Sequence, residues 1–170
     1  MKTLINLLFT ILLFGQTTAQ TSITIKPDAS EGKDARISIG GGDPNTQSTN
    51  YGDHPNVVLR AWTFNALPVY YRSLIDFDLS ILDASDKILS ASINLYHDPL
   101  SPLGATHHPA SGLNQTYFVP ITSPWEEGSV TWDTQPSLHY SQAISVRGNR
   151  SDDENFLDID VTDMIKNQFE

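Results

Sequence analysis

The fold class this sequence predicts is an all-β sandwich or barrel. From Thr21 onward, polar and apolar residues alternate over short stretches, clusters of Gly, Pro, Asn, Asp and Ser interrupt them, and no long segment carries a helical period. A chain of 170 residues with 39% hydrophobic and 18% charged residues has the size of one modest domain rather than two.

The elements follow in order. Thr21-Ser22-Ile23-Thr24-Ile25 alternates and stops at the turn signal Lys26-Pro27-Asp28. Residues 35–39 are predicted as a second strand, closed by Gly40-Gly41-Gly42-Asp43-Pro44-Asn45. The loop from Gly40 to Asn56 holds Tyr51-Gly52-Asp53-His54-Pro55 and has the composition of turns and ligand-binding concavities. Loops of that length are usually functional or mobile. Residues 57–64 and 70–79 are predicted as strands joined at Asn65-Ala66-Leu67-Pro68. In the later strand, period-two alternation groups Tyr71, Ser73, Ile75, Phe77 and Leu79, expected to face the core, against Tyr70, Arg72, Leu74, Asp76 and Asp78. In the earlier one, Val57, Leu59 and Ala61 are expected inward, which turns Arg60 and Trp62 outward. Residues 88–97 alternate most clearly, with Leu89, Ala91, Ile93 and Leu95 against Ser90, Ser92, Asn94 and Tyr96. Segments 115–122, 130–132, 143–146 and 156–159 complete about eight strands, and Thr162 to Phe169 has the pattern of a short helical turn.

Before all of these, Lys2 precedes the apolar run Leu4 to Phe14, and small residues stand at Thr17 and Ala19. This is the pattern of a secretory leader over residues 1–19, cleaved after Ala19, leaving the domain in residues 20–170 of an extracellular product. The run is too short to span a bilayer, and no later segment has eighteen consecutive apolar residues. With no cysteine, the chain has no disulfide framework, cysteine-ligated zinc site, thiol nucleophile or lipoprotein anchor. A net charge of −10 disfavours nucleic acid and anionic lipid as partners held by bulk charge. Basic residues nevertheless gather early, at Lys26, Lys33, Arg36, Arg60 and Arg72, so recognition of an anion is expected on the first strands.

Carboxylate pairs occur at Asp76 and Asp78, Glu126 and Glu127, and Asp158 and Asp160, but such spacing is common in acidic chains and does not single out glycosidase chemistry. The sequence has no nucleophile elbow, phosphate loop or HExxH motif, and His107-His108 reads as exposed loop. The segment Pro27 to Asp34 brings Asp28, Glu31 and Asp34 around Gly32; either a structural calcium or hydrogen bonds to the turn backbone would use Asp28 and Asp34. Outward Trp62, with Arg60, Tyr70 and Arg72, has the makings of a sugar platform: a ring face packs on the C–H face of a pyranose, and Arg binds carboxylate or sulfate in two-pronged fashion. The alternative use of the same residues is Trp62 covering a sheet edge and Arg72 pairing with Asp76. Trp125 and Trp132 are expected at a corner of the core, and Asn114-Gln115-Thr116 and Asn149-Arg150-Ser151 fit the glycosylation pattern of a eukaryotic secretory route.

Lys26-Pro27-Asp28-Ala29-Ser30-Glu31-Gly32-Lys33-Asp34-Ala35, Asn50-Tyr51-Gly52-Asp53, Ala61-Trp62-Thr63, Arg72-Ser73-Leu74-Ile75-Asp76-Phe77-Asp78-Leu79-Ser80, Trp125-Glu126-Glu127-Gly128-Ser129-Val130-Thr131-Trp132 and Gln135-Pro136 run in the same order as the motifs of the DNRLRE domain. From about Ile25 to Ile165 the chain resembles that family, also called carbohydrate-binding module family 96. The resemblance implies a jelly-roll β-sandwich, secreted and non-catalytic, often attached to polysaccharide-degrading enzymes or matrix proteins, with an acidic polysaccharide such as alginate as ligand. Tyr51, Trp62 and Arg72 lie inside the matched motifs, whereas Arg60 and Tyr70 rest on strand parity alone. Family members usually continue past the Asp158 to Asp163 segment into further strands, so the resemblance implies a chain that lacks its last strands. Two rival functions stay open: an adhesive matrix component, and a polysaccharide lyase or hydrolase using Asp76 or Glu127.

Overall fold

The computed structural model describes residues 20–27, 32–101, 115–149, 151 and 153–169. The leader, Asp28, the His107-His108 pair and Asn114 lie outside the described residues. Seven strands and one helix form within them, in the order β1 (Gly32–Gly40), β2 (Arg60–Phe64), β3 (Leu67–Phe77), β4 (Ser92–Leu95), β5 (Thr116–Phe118), β6 (Ile144–Val146), β7 (Phe156–Asp160) and α1 (Thr162–Phe169). All pairing is antiparallel: one three-stranded sheet in the order β1-β3-β2, and two ribbons, β4-β7 and β5-β6. The architecture is the all-β class expected.

Two expected strands are absent. Residues 20–27 form none, because an alternating stretch becomes a strand only where a neighbour takes its backbone hydrogen bonds, and no described strand does so. Residues 130–132 lie in turns, with Val130 and Thr131 buried: the Val130 N–H donates to the Glu126 carbonyl (2.9 Å), and the Thr131 N–H donates to the Thr134 hydroxyl (2.9 Å).

The hairpin β2–β3 closes on Asn65 and Ala66, both with left-handed backbone (φ 50° and 63°), the geometry whose twist suits a two-residue connection. Beside that closed end Gly40 has φ 102°, and a Cβ there would strike the Pro68 carbonyl, so glycine is required where β1 leaves the sheet.

The core lies where β1 and β3 meet the 121–132 segment: Ala35, Ile37, Leu74, Trp125 and Val130, with Ile121 and Trp132 packed against them. Both tryptophans therefore sit at the expected corner. The face predicted for β3 is corrected. Ala35 pairs with Leu74 and Ile37 with Arg72, so the core side of β3 is the set holding Leu74 and Arg72, and Tyr71 and Ser73 lie on the other side. β3 has apolar residues in both sets, so alternation alone does not choose between them; the Arg72 stem lies inward because its head finds partners there. Val57 and Leu59, expected inward, are exposed, since Ser73 pins residue 58 instead: its hydroxyl accepts from the Val58 N–H (2.8 Å) and donates to the Val58 carbonyl (3.1 Å).

Farther along, the β4–β7 register shifts between Ile93 and Leu95, with Asp158 at φ 54° and its N–H donating to the Asn94 side chain (2.7 Å), the signature of a bulge. The helix starts after the Asp160 carboxylate accepts the Thr162 N–H (2.9 Å), and the Thr162 hydroxyl accepts from the Ala91 N–H (2.9 Å), tying α1 to the strand beside it.

Candidate functional site

The outer face of the β1-β3-β2 sheet is built by register. Arg36 pairs with Ser73, Ser38 with Tyr71, Tyr71 with Arg60 and Trp62 with Val69, so Arg36, Tyr71, Arg60 and Trp62 project to the same side. On the free edge of β1, Tyr51 forms an antiparallel bridge with Arg36 and joins that side. The result is a continuous stack. The Arg36 guanidinium lies 4.2 Å from the centre of the Tyr51 ring and 5.0 Å from that of Tyr71, and the Arg60 guanidinium lies 5.4 Å from Tyr71 and 5.1 Å from Trp62. Each distance is within reach of a cation–π attraction, worth about 0.5–2 kcal/mol depending on desolvation.

Two features give the stack its chemistry. Neither guanidinium has a carboxylate partner or a side-chain hydrogen bond among the described residues, and the Nε of Arg36 is buried with no hydrogen-bond partner among them. Arg36 retains 9% of its surface while Trp62 retains 43%, so the stack runs from a sunken cation to an open indole. Burial pulls the Arg36 guanidinium below its ordinary range, the Tyr71 and Tyr51 hydroxyls oppose this, and the charge of Arg60 adds to it. An arginine still stays charged at any working pH.

Tyr51 is held in place by Asn50. Its amide donates to the carbonyls of Glu127 and Val130, both at 2.7 Å, while its side-chain oxygen accepts the Gly52 N–H (3.2 Å). Gly52 lies so close to the Glu127 carbonyl that a Cβ would overlap it. This clamp also sets an acidic rim beside the stack. Asp34, two residues before Arg36 on the same face, is held above the ordinary carboxylate range by burial and by the charge of Glu127, with His54 acting the other way. His54 is lowered by burial and by Arg36, against the Asn56 backbone hydrogen bond and Asp34. Asp34 alone of the two expected calcium ligands falls among the described residues, and no cluster of three or more His, Asp or Glu suited to a metal occurs among them.

Of the five residues expected on one platform, Tyr51, Arg60 and Trp62 come together and Tyr70 and Arg72 do not. Tyr70 pairs with Ile39 and Ala61 on the reverse side, where it is 47% exposed. Arg72 donates to the Gln135 side-chain oxygen (2.7 Å) and stacks 4.6 Å from Trp132, whose carbonyl accepts from Gln135 (2.8 Å). Asp76, the partner weighed for Arg72, faces Lys33 instead at 3.7 Å, and Lys33 also donates to the Trp125 carbonyl (2.6 Å). Arg36 and Tyr71 take the places that Tyr70 and Arg72 were expected to fill. The signal for Arg36 was present: a lone cation between Ala35 and Ile37 in an apolar strand.

A ring-lined, cation-bearing face that opens at Trp62 has the chemistry to hold a saccharide. The family model for carbohydrate-binding module family 96 matches residues 33–170. The chain belongs to that family. No curated protein and no solved structure matches it. Membership makes this a carbohydrate-binding module, and the matched span takes in every residue of the stack and of the Asn50 clamp.

Proposed function

We propose that this carbohydrate-binding module is a secreted, non-catalytic protein that binds an acidic polysaccharide such as alginate on the face of Tyr51, Arg36, Tyr71, Arg60 and Trp62. One observation carries the reading: two guanidiniums with no acidic partner among the described residues are interleaved with three aromatic rings on the sheet face opposite the core, sunken at Arg36 and open at Trp62. Rings supply stacking against C–H faces, and guanidiniums supply charge-assisted hydrogen bonds to carboxylate or sulfate. A protein of net charge −10 meets a polyanion only where cations cluster locally, and this face is such a place.

Affinity electrophoresis tests the reading. The protein is expected to be retarded in gels containing alginate and to run freely in gels containing a neutral glucan. Equal migration in all gels would overturn it, and release of new reducing or unsaturated ends from alginate would replace it with an enzymatic one.

A further inference from the structure

We propose that the face reads three consecutive units of an acidic saccharide laid across the strands, with anionic groups on the first and third units held by Arg36 and Arg60 and the middle unit over Tyr71. The inference rests on the polysaccharide-binding reading above and adds the direction, register and minimum length of the ligand.

β3 lies between β1 and β2, and Arg36, Tyr71 and Arg60 come one from each strand on the same side. Neighbouring strands are about 4.8 Å apart, so the two arginine-bearing strands are separated by about 10 Å. A pyranose unit in an extended chain advances by close to one strand spacing, so a chain crossing the strands places successive units over β1, β3 and β2. Both guanidiniums lie within 5.4 Å of the one Tyr71 ring, which agrees with that separation.

Charge makes the outer positions anionic. Two like charges flank one ring, neither forms an ion pair with a described carboxylate, and their repulsion contributes to the lowering at Arg36. An anion at each end pairs both guanidiniums; a single anion leaves the other one without a charged partner. The middle position offers only a ring, so it is satisfied by an apolar sugar face whatever that unit's charge. Tyr51 stacks on Arg36 beyond the edge of β1, and Trp62 stacks on Arg60 from two residues along β2.

The test is isothermal titration of the full chain with oligomannuronates of one to four units, and in parallel with sulfated galactose oligomers of the same lengths, since guanidinium accepts either anion. A gain of at least about tenfold is expected between two and three units in one or both series, with little added by a fourth, because the second charge contact becomes intramolecular. Arg60→Gln is expected to remove that step while changing the two-unit affinity by about twofold. Arg36→Lys, which keeps the buried charge but loses the planar fork, is expected to remove it as well. Affinity that rises smoothly from one unit, or a step that survives both substitutions, would overturn the register while leaving polysaccharide binding intact. Failure of every charged oligomer and of polymeric alginate to bind would instead overturn the functional reading and the register with it.

Discussion

Arg36 and Arg60 stand on the two outer strands of a three-stranded sheet and share the Tyr71 ring between them, at 5.0 and 5.4 Å. The relationship costs stability, because Arg36 is nearly buried and its Nε has no hydrogen-bond partner among the described residues.

Arg60 and Arg72 should separate cleanly in experiment. Arg60→Ala is expected to weaken alginate binding and leave the urea midpoint nearly unchanged. Arg72→Ala is expected to cost about 1–3 kcal/mol of stability, through loss of its contacts with Gln135 and Trp132, while the folded fraction binds alginate as before. Urea melts and gel retardation of the two variants check both halves; reduced binding by folded Arg72→Ala would move the site to the other face.

That contrast also marks how far the sequence could be read. The all-β class, the core tryptophans and outward Trp62 were legible because turn clusters and alternation are local. The face of β3 was not, since Ile75 and Phe77 compete with Leu74 on opposite sides and only pairing with Ala35 and Ile37 decides between them. Tyr51 was recognisable by motif, yet its contact with Arg36 depends on a bridge between residues fifteen positions apart.

Asn50 is expected to act on binding through Tyr51. Asn50→Ala removes donors to two carbonyls and an acceptor for Gly52, at a cost of about 1–3 kcal/mol, and should loosen the turn that Tyr51 begins. Hydrogen exchange at the His54 amide, which donates to the Tyr51 carbonyl (3.2 Å), should accelerate in the variant, and alginate affinity should fall with it. Unchanged exchange would detach the clamp from the site.

The acidic rim gives a pH dependence of defined sign. Asp34 titrates higher when folded, by burial first and Glu127 second, so the folded state holds that proton more tightly than the unfolded chain. Its contribution is fully favourable below the unfolded value of 3.8 and is lost as pH rises through the raised folded value. Asp34→Asn is therefore expected to be more stable than the parent at neutral pH, with the difference vanishing near pH 3, and to bind alginate more tightly at neutral pH. His54 has the opposite sign: its lowered folded value makes stability fall as pH drops through and below 6.5, and His54→Gln should flatten that limb. Urea midpoints across this range check both substitutions.

The hairpin turn should accept improvement. Ala66 holds φ 63°, which costs a residue with a Cβ more than it costs glycine, so Ala66→Gly is expected to stabilise the protein by about 0.5–1 kcal/mol without touching the stack. A lowered thermal midpoint would show that the Ala66 methyl contributes contacts worth more than its backbone strain.

The central claim is that Arg36 and Arg60 hold an acidic polysaccharide. Isothermal titration of alginate into the parent protein and the Arg36→Lys, Arg60→Gln double variant tests it most directly, with circular dichroism confirming that both are folded. Measurable binding by the parent, weakened by salt and abolished in the folded double variant, is the predicted result; equal alginate affinity in the two proteins would contradict it.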